Sequence, residues 1–180
     1  MSCSVKIIKN WAVILTALVM ILSAGLFTSC NKNGENGGLD EGLYVDGKAV
    51  VKIGTVFSED AELTGTLGTP LDRQESASCL GAGTDINFIY DGFSLTAYPY
   101  GDAESGQHRV GQIKITGDQY SLSTGVSVGD NISSMESAGY GLASHTGSSY
   151  TYDACGGQCS LVVSTDESGI ITRIVLNLND

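Results

Sequence analysis

Apolar and polar positions alternate with period two over several short runs of the chain, and those runs predict β-strands. Residues 85–90 (DINFIY) and 93–98 (FSLTAY) flank Asp91-Gly92, a dipeptide suited to a two-residue hairpin turn. Residues 109–116 (RVGQIKIT) alternate through Ile113 and Ile115. Three further strands are expected over 150–155 (YTYDAC), 159–165 (CSLVVST) and 170–178 (IITRIVLNL), and an apolar strand over 42–53 (GLYVDGKAVVKI). Two stretches change period. After Ser58, read as an N-cap, Leu63 and Leu67 stand four apart and Gly68-Thr69-Pro70 ends the run. After Asp130, read the same way, Ile132, Met135 and Ala138 have helical spacing up to Gly139-Tyr140-Gly141.

The order repeats. Phe93, Leu95 and Ala97 lay over Cys159, Leu161 and Val163; Glu104-Ser105-Gly106 recurs as Glu167-Ser168-Gly169; Ile113 and Ile115 fall over Ile174 and Leu176. The pattern predicts an α+β fold by internal duplication, with repeat 1 over 42–120 and repeat 2 over 121–180. Each repeat is a helix followed by antiparallel strands, and the strands form one sheet with the helices on one face.

The N-terminus does not belong to that domain. Lys6 and Lys9 precede an apolar run of about seventeen residues ending at Phe27, the layout of a secretory signal. Phe27-Thr28-Ser29-Cys30 resembles the lipobox of bacterial lipoproteins, with Phe27 where that family usually has Leu. The resemblance implies a signal peptide over 1–29 and a diacylated Cys30 as the mature N-terminus. The alternative is an uncleaved anchor, for which the run is short against the roughly twenty residues a spanning helix needs. Residues 30–41 then form a tether, Gly-rich at 31–38 (NKNGENGG). A lipid-anchored protein outside a bacterial cell membrane is expected.

Charge narrows the partners. With Lys6 and Lys9 set aside, seven basic residues stand against twenty acidic ones, a balance of −13. Such a chain repels nucleic acid and anionic headgroups, and no nucleic-acid partner is expected.

Catalytic and metal chemistry find few residues. The two histidines, His108 and His145, fall in polar stretches read as loops, and no G-x-S-x-G elbow is present. Asp85, Asp91, Asp102 and Glu104 do not follow an EF-hand pattern, and Cys155 and Cys159 with His145 fall short of four zinc ligands. Gly81-Ala82-Gly83 lacks the strand–loop–helix setting of a dinucleotide site. The expectation is no catalytic group, no metal and no cofactor. In a disulfide-permissive compartment CGGQC at 155–159 reads as a staple. Cys155 and Cys159 are expected to bridge, opposed on adjacent strands, with Cys79 free and largely buried.

Two segments, SASCLGAGTDINFIYDGFSLTAYP and GVSVGDNISSMESAGYG, resemble uncharacterised lipoproteins of anaerobic gut bacteria. The V-x-V-G element of 126–141 is similar to one in SmpA/OmlA-type outer-membrane lipoproteins and in β-lactamase-inhibitor proteins. The resemblance implies tandem helix-plus-sheet repeats with a protein-binding sheet face. Alternation puts Phe93, Leu95, Ile113, Ile115, Leu161, Val163, Ile174 and Leu176 on one face. Thr96, Tyr98, Lys114, Val162, Arg173 and Val175 take the other, with Tyr100 just past the strand. Tyr98, Tyr100, Lys114 and Arg173 are the candidate binding residues, since Tyr and Arg are enriched at protein interfaces. The expected function is a non-enzymatic, membrane-tethered binding module with a protein partner. The alternatives are an inhibitor or scavenger of a secreted enzyme or envelope component acting through that face, and an enzyme of unrecognised type.

Overall fold

The computed structural model describes residues 40–79, 82–102 and 105–179. The expected signal peptide, Cys30 and the expected tether up to residue 39 lie outside the described residues, as does Glu104.

The chain enters through a small hairpin, β1 (Gly42–Val45) and β2 (Lys48–Lys52), which forms its own two-stranded sheet. One strand was expected here. Asp46-Gly47 breaks it, both residues taking positive φ as a tight hairpin turn requires. A short strand, β3 (Val56–Phe57), then leads into helix α1 (Asp60–Leu67). Its cap is Glu59 rather than Ser58: the Glu62 carboxylate accepts the backbone N–H of both residues, at 3.0 and 3.1 Å. Gly68, at φ 80°, ends the helix.

The main sheet follows as two meanders. The first runs β4 (Asp72–Ala77), β5 (Thr84–Tyr90), β6 (Phe93–Tyr100) and β7 (Gln107–Ile115). The predicted Asp91-Gly92 hairpin joins β5 to β6, with Tyr90 opposite Phe93 and their rings stacked 4.5 Å apart. After a loop and helix α2 (Ser133–Ser137), the second meander runs β8 (Gly141–Thr146), β9 (Ser149–Ala154), β10 (Cys159–Thr165) and β11 (Ile171–Leu178). Strands β7 and β11 pair antiparallel, so the order is β4-β5-β6-β7-β11-β10-β9-β8. β3 pairs with the first part of β7, at His108 and Arg109, and β11 with the last, from Gln112 to Ile115.

The α+β expectation is therefore corrected: among the described residues there are eleven strands and only two α-helices, of eight and five residues, and the protein is a largely antiparallel β fold. The reason lies in the segments between predicted elements. Residues 72–77 and 141–146, which show no alternation, become edge strands exposed along their whole length. The run after Asp130 forms little more than one turn of helix. Asp130 does not cap it: its carboxylate accepts from Ser127 N at 2.9 Å, while Asn131 Oδ1 accepts from Ser133 N at 3.1 Å.

The core gathers on one face of the sheet. Phe88, Leu95, Ile113, Ile115, Leu161, Val163, Ile174 and Leu176 are fully buried there, with Leu43, Phe57, Leu63 and Met135 packed in the same cluster from the hairpin, β3 and the helices. Burial of such side chains, about 1.5–3 kcal/mol each, supplies most of the favourable free energy.

One buried polar knot ties the entering chain to this core. Glu41, 7% exposed, accepts hydrogen bonds from the Tyr140 hydroxyl and the Ser123 hydroxyl, both at 2.6 Å. Thr124 donates to the same tyrosine oxygen at 3.2 Å, and Tyr44 and Ser121 exchange backbone hydrogen bonds beside it. Burial, followed by the hydrogen bond to the Glu41 carboxylate, pushes the Tyr140 hydroxyl well above the ordinary tyrosine range. An unfolded tyrosine loses its proton near pH 10, whereas folded Tyr140 keeps it, so the folded state binds more protons there and stability falls as pH rises. The urea midpoint should drop between about pH 9 and pH 11, and Tyr140→Phe should flatten part of that drop. Equal slopes in the two proteins would refute the assignment. The variant should also start lower by about 1–3 kcal/mol, because Glu41 loses a donor.

Candidate functional site

The face opposite the core is built from short polar and aliphatic side chains in transverse rows. In the centre, one row reads Ser94, Lys114, Val175, Val162 and Thr151 across β6, β7, β11, β10 and β9, each residue directly opposite the next. The row beside it reads Gln74, Asn87, Thr96, Gln112, Asn177, Ser160 and Asp153, from β4 to β9. Gln112 Nε2 donates to Asn177 Oδ1 at 2.9 Å, a side-chain bond across the β7–β11 junction. On the other flank Arg173 stands opposite Ser164 and donates to its hydroxyl at 2.9 Å.

This arrangement brings most of the predicted binding residues together. Thr96, Tyr98, Lys114, Val162, Arg173 and Val175 share the face, half-buried or exposed, and the buried apolar side chains of strands β5 to β7 and β9 to β11 point the other way. Val162 and Val175 are a cross-strand pair; Lys114 lies directly across from Val175, and Arg173 is two residues along β11 from it. Among the described residues neither Lys114 nor Arg173 has a carboxylate partner. Tyr100 is the last residue of β6 rather than beyond it, and the Arg109 guanidinium lies 5.0 Å from its ring centre.

Tyr98 owes its position to a β-bulge. Thr96 pairs with Gln112 and Ala97 with Val110, which leaves Gly111 as the extra residue on β7. The Tyr98 ring lies directly over Gly111, where a Cβ would collide with it. The bulge was not foreseen from the alternation of residues 109–116, although Gly111 inside a strand pattern is the signal that carries it.

The histidines sit in strands, not loops. His108 in β7 is half-buried, stacks 5.8 Å from Phe57 and contacts the Thr84 carbonyl at 3.0 Å. His145 in β8 stacks 4.2 Å from Tyr150 and contacts the Gly147 carbonyl at 2.6 Å. Among the described residues no three His, Cys, Asp or Glu side chains cluster as metal ligands would.

Cys155 and Cys159 form a disulfide, with Cα atoms 5.3 Å apart. The two are not opposed on adjacent strands, however: Cys159 pairs with Ala154, and Cys155 lies in a 3-10 turn over Cys155–Gly157 with φ 52°. The bridge thus closes the turn onto the fully buried start of β10. Cys79, expected to be buried, is an exposed free thiol just past β4, because that strand is the sheet edge. No helix among the described residues is long and apolar enough to cross a membrane.

No protein-family model, curated protein or solved structure matches this chain, so the site rests on its own geometry.

Two outcomes follow. Gly111→Ala should cost about 1–3 kcal/mol in chemical denaturation by overpacking against Tyr98, and adding Tyr98→Ala should recover much of that in a double-mutant cycle. Thiol labelling of the native protein should modify Cys79 without reductant and Cys155 and Cys159 only with it. Replacing both bridge cysteines by Ser should lower stability by about 2 kcal/mol, the chain entropy of so short a loop.

Proposed function

We propose that the protein is a non-enzymatic binding module, held outside a bacterial cell membrane by a lipid on Cys30, that docks a protein partner on the outer sheet face. The observation that carries this reading is the central patch of that face. An aliphatic pair, Val162 and Val175, is flanked by Lys114 and Arg173, which among the described residues have no carboxylate partner, while Tyr98 is held in place by the bulge. Protein interfaces combine these parts: a small apolar centre, an aromatic group of low conformational freedom and long cationic side chains at the edge. The lipobox-like Phe27-Thr28-Ser29-Cys30 and the Gly-rich segment after it support the tethered placement.

The test is cross-linking of the full-length protein in its native envelope, with mass spectrometry of what is attached. Tyr98→Ala combined with Arg173→Ala should reduce capture of the major partner by about tenfold, the size of a modest interface hot spot, with an unchanged far-UV circular dichroism spectrum. Undiminished capture by the folded double variant would remove this face from the function.

A further inference from the structure

The acidic residues avoid the centre of the sheet. No Asp or Glu falls in β6, β7, β10 or β11, the four strands around the β7–β11 junction, whereas Arg109, Lys114 and Arg173 do. On the outer face the acids are peripheral: Asp72 on β4, Asp85 on β5 and Asp153 on β9. A protein with a large negative balance therefore presents a locally positive centre on the outer face of its main sheet. From this we infer that the partner docks there through an acidic, extended polypeptide segment with aliphatic side chains between its carboxylates. The inference rests on the outer face being the docking surface, and it names the chemistry of what docks.

Three features select that occupant. The cations take carboxylates: Lys114 is solvent-exposed and Arg173, among the described residues, bonds a neutral hydroxyl and no carboxylate, so both keep their charge available to an incoming anion. The Val162–Val175 pair beside Lys114 takes an aliphatic side chain, which a sugar or phosphate polymer does not offer. The amides and hydroxyls of Thr96, Gln112, Asn177 and Ser160 alongside take backbone groups. A second copy of this chain does not fit, because turning the face onto itself sets the positive centres against one another with no acid on the four central strands to compensate.

The probe is a fluorescein-labelled peptide Ser-Gly-Glu-Val-Glu-Val-Glu-Gly-Ser, read by anisotropy against the full chain in neutral detergent micelles. Its counterpart carries Lys in place of Glu. The acidic peptide should bind at least about tenfold more tightly than the basic one, and weaken as salt rises from about 0.02 to 0.3 M. Lys114→Glu with Arg173→Glu should lower its affinity by about tenfold or more with near-UV circular dichroism unchanged, whereas Lys48→Glu, on the separate β1–β2 hairpin, should leave it within about twofold. Equal affinity for the two peptides, or no effect of the charge reversal in a folded protein, overturns the acidic-partner assignment. Binding to phosphatidylglycerol vesicles or alginate that depends on Lys114, with none to the acidic peptide, also overturns it in favour of a lipid or a polysaccharide. If the peptides fail while Tyr98→Ala with Arg173→Ala still abolishes envelope capture, the docking face stands and only its partner chemistry falls. If both fail, the docking face falls too.

Discussion

Four residue pairs between β7 and β11 hold the molecule together. Ile174 against Ile115 and Leu176 against Ile113 are fully buried, while Val175 against Lys114 and Asn177 against Gln112 face outward. Without this junction each meander would be a four-stranded sheet with a second bare edge and half a core, a poor match to the burial that folding of about 140 residues demands. With it, the chain closes one continuous hydrophobic layer, and the flanking hairpin, β3 and helices have something to cover. The same pairs form the centre of the candidate site, since the outward residues of the junction are the middle of the exposed face.

The junction also explains where charge goes. Carboxylates are poor strand formers and costly near a core, so this acid-rich chain places them in turns, on the helices and along the sheet periphery. The edge strand β4 carries Asp72, Arg73 and Glu75, and Arg73 bonds both Glu75 and Asp60 of α1, which guards that edge against pairing with other chains. What remains at the centre is neutral or positive. The four central strands thus carry lysine and arginine without an acid, while the acids that set the protein's overall charge lie elsewhere.

The central strands were legible because each is buried on one face and polar on the other: DINFIY, FSLTAY, RVGQIKIT, CSLVVST and IITRIVLNL lie in strands but for their end residues Thr116 and Ile170. Their alternation also assigned Tyr98, Lys114, Val162, Arg173 and Val175 to one side. The edges were not legible. DRQESA and GLASHT are exposed on both faces, so no period marks them, and only hydrogen bonds to β5 and β9 make them strands. Helical spacing at Ile132, Met135 and Ala138 overstated the helix, since Met135 alone of these is fully buried and Gly139 follows at φ 89°. Those misreadings together turned a β fold into an expected α+β one. The cysteine pair was right in partner and wrong in register, because spacing within CGGQC does not reveal that the turn begins at Cys155 itself. Asp46-Gly47 was a readable hairpin signal, hidden by the apolar run around it.

The buried Glu41 has a mechanical meaning. A pull on the chain ahead of Asp40 would enter the described domain at Asp40 and Glu41, next to a hairpin that belongs to a different sheet from the outer face. A pull at that point loads the carboxylate held by Tyr140 and Ser123, and the backbone pair between Tyr44 and Ser121, before it reaches any rung of the main sheet. For a chain tethered as proposed, the knot would act as a strain relief, taking load at Glu41 before the outer sheet face feels it.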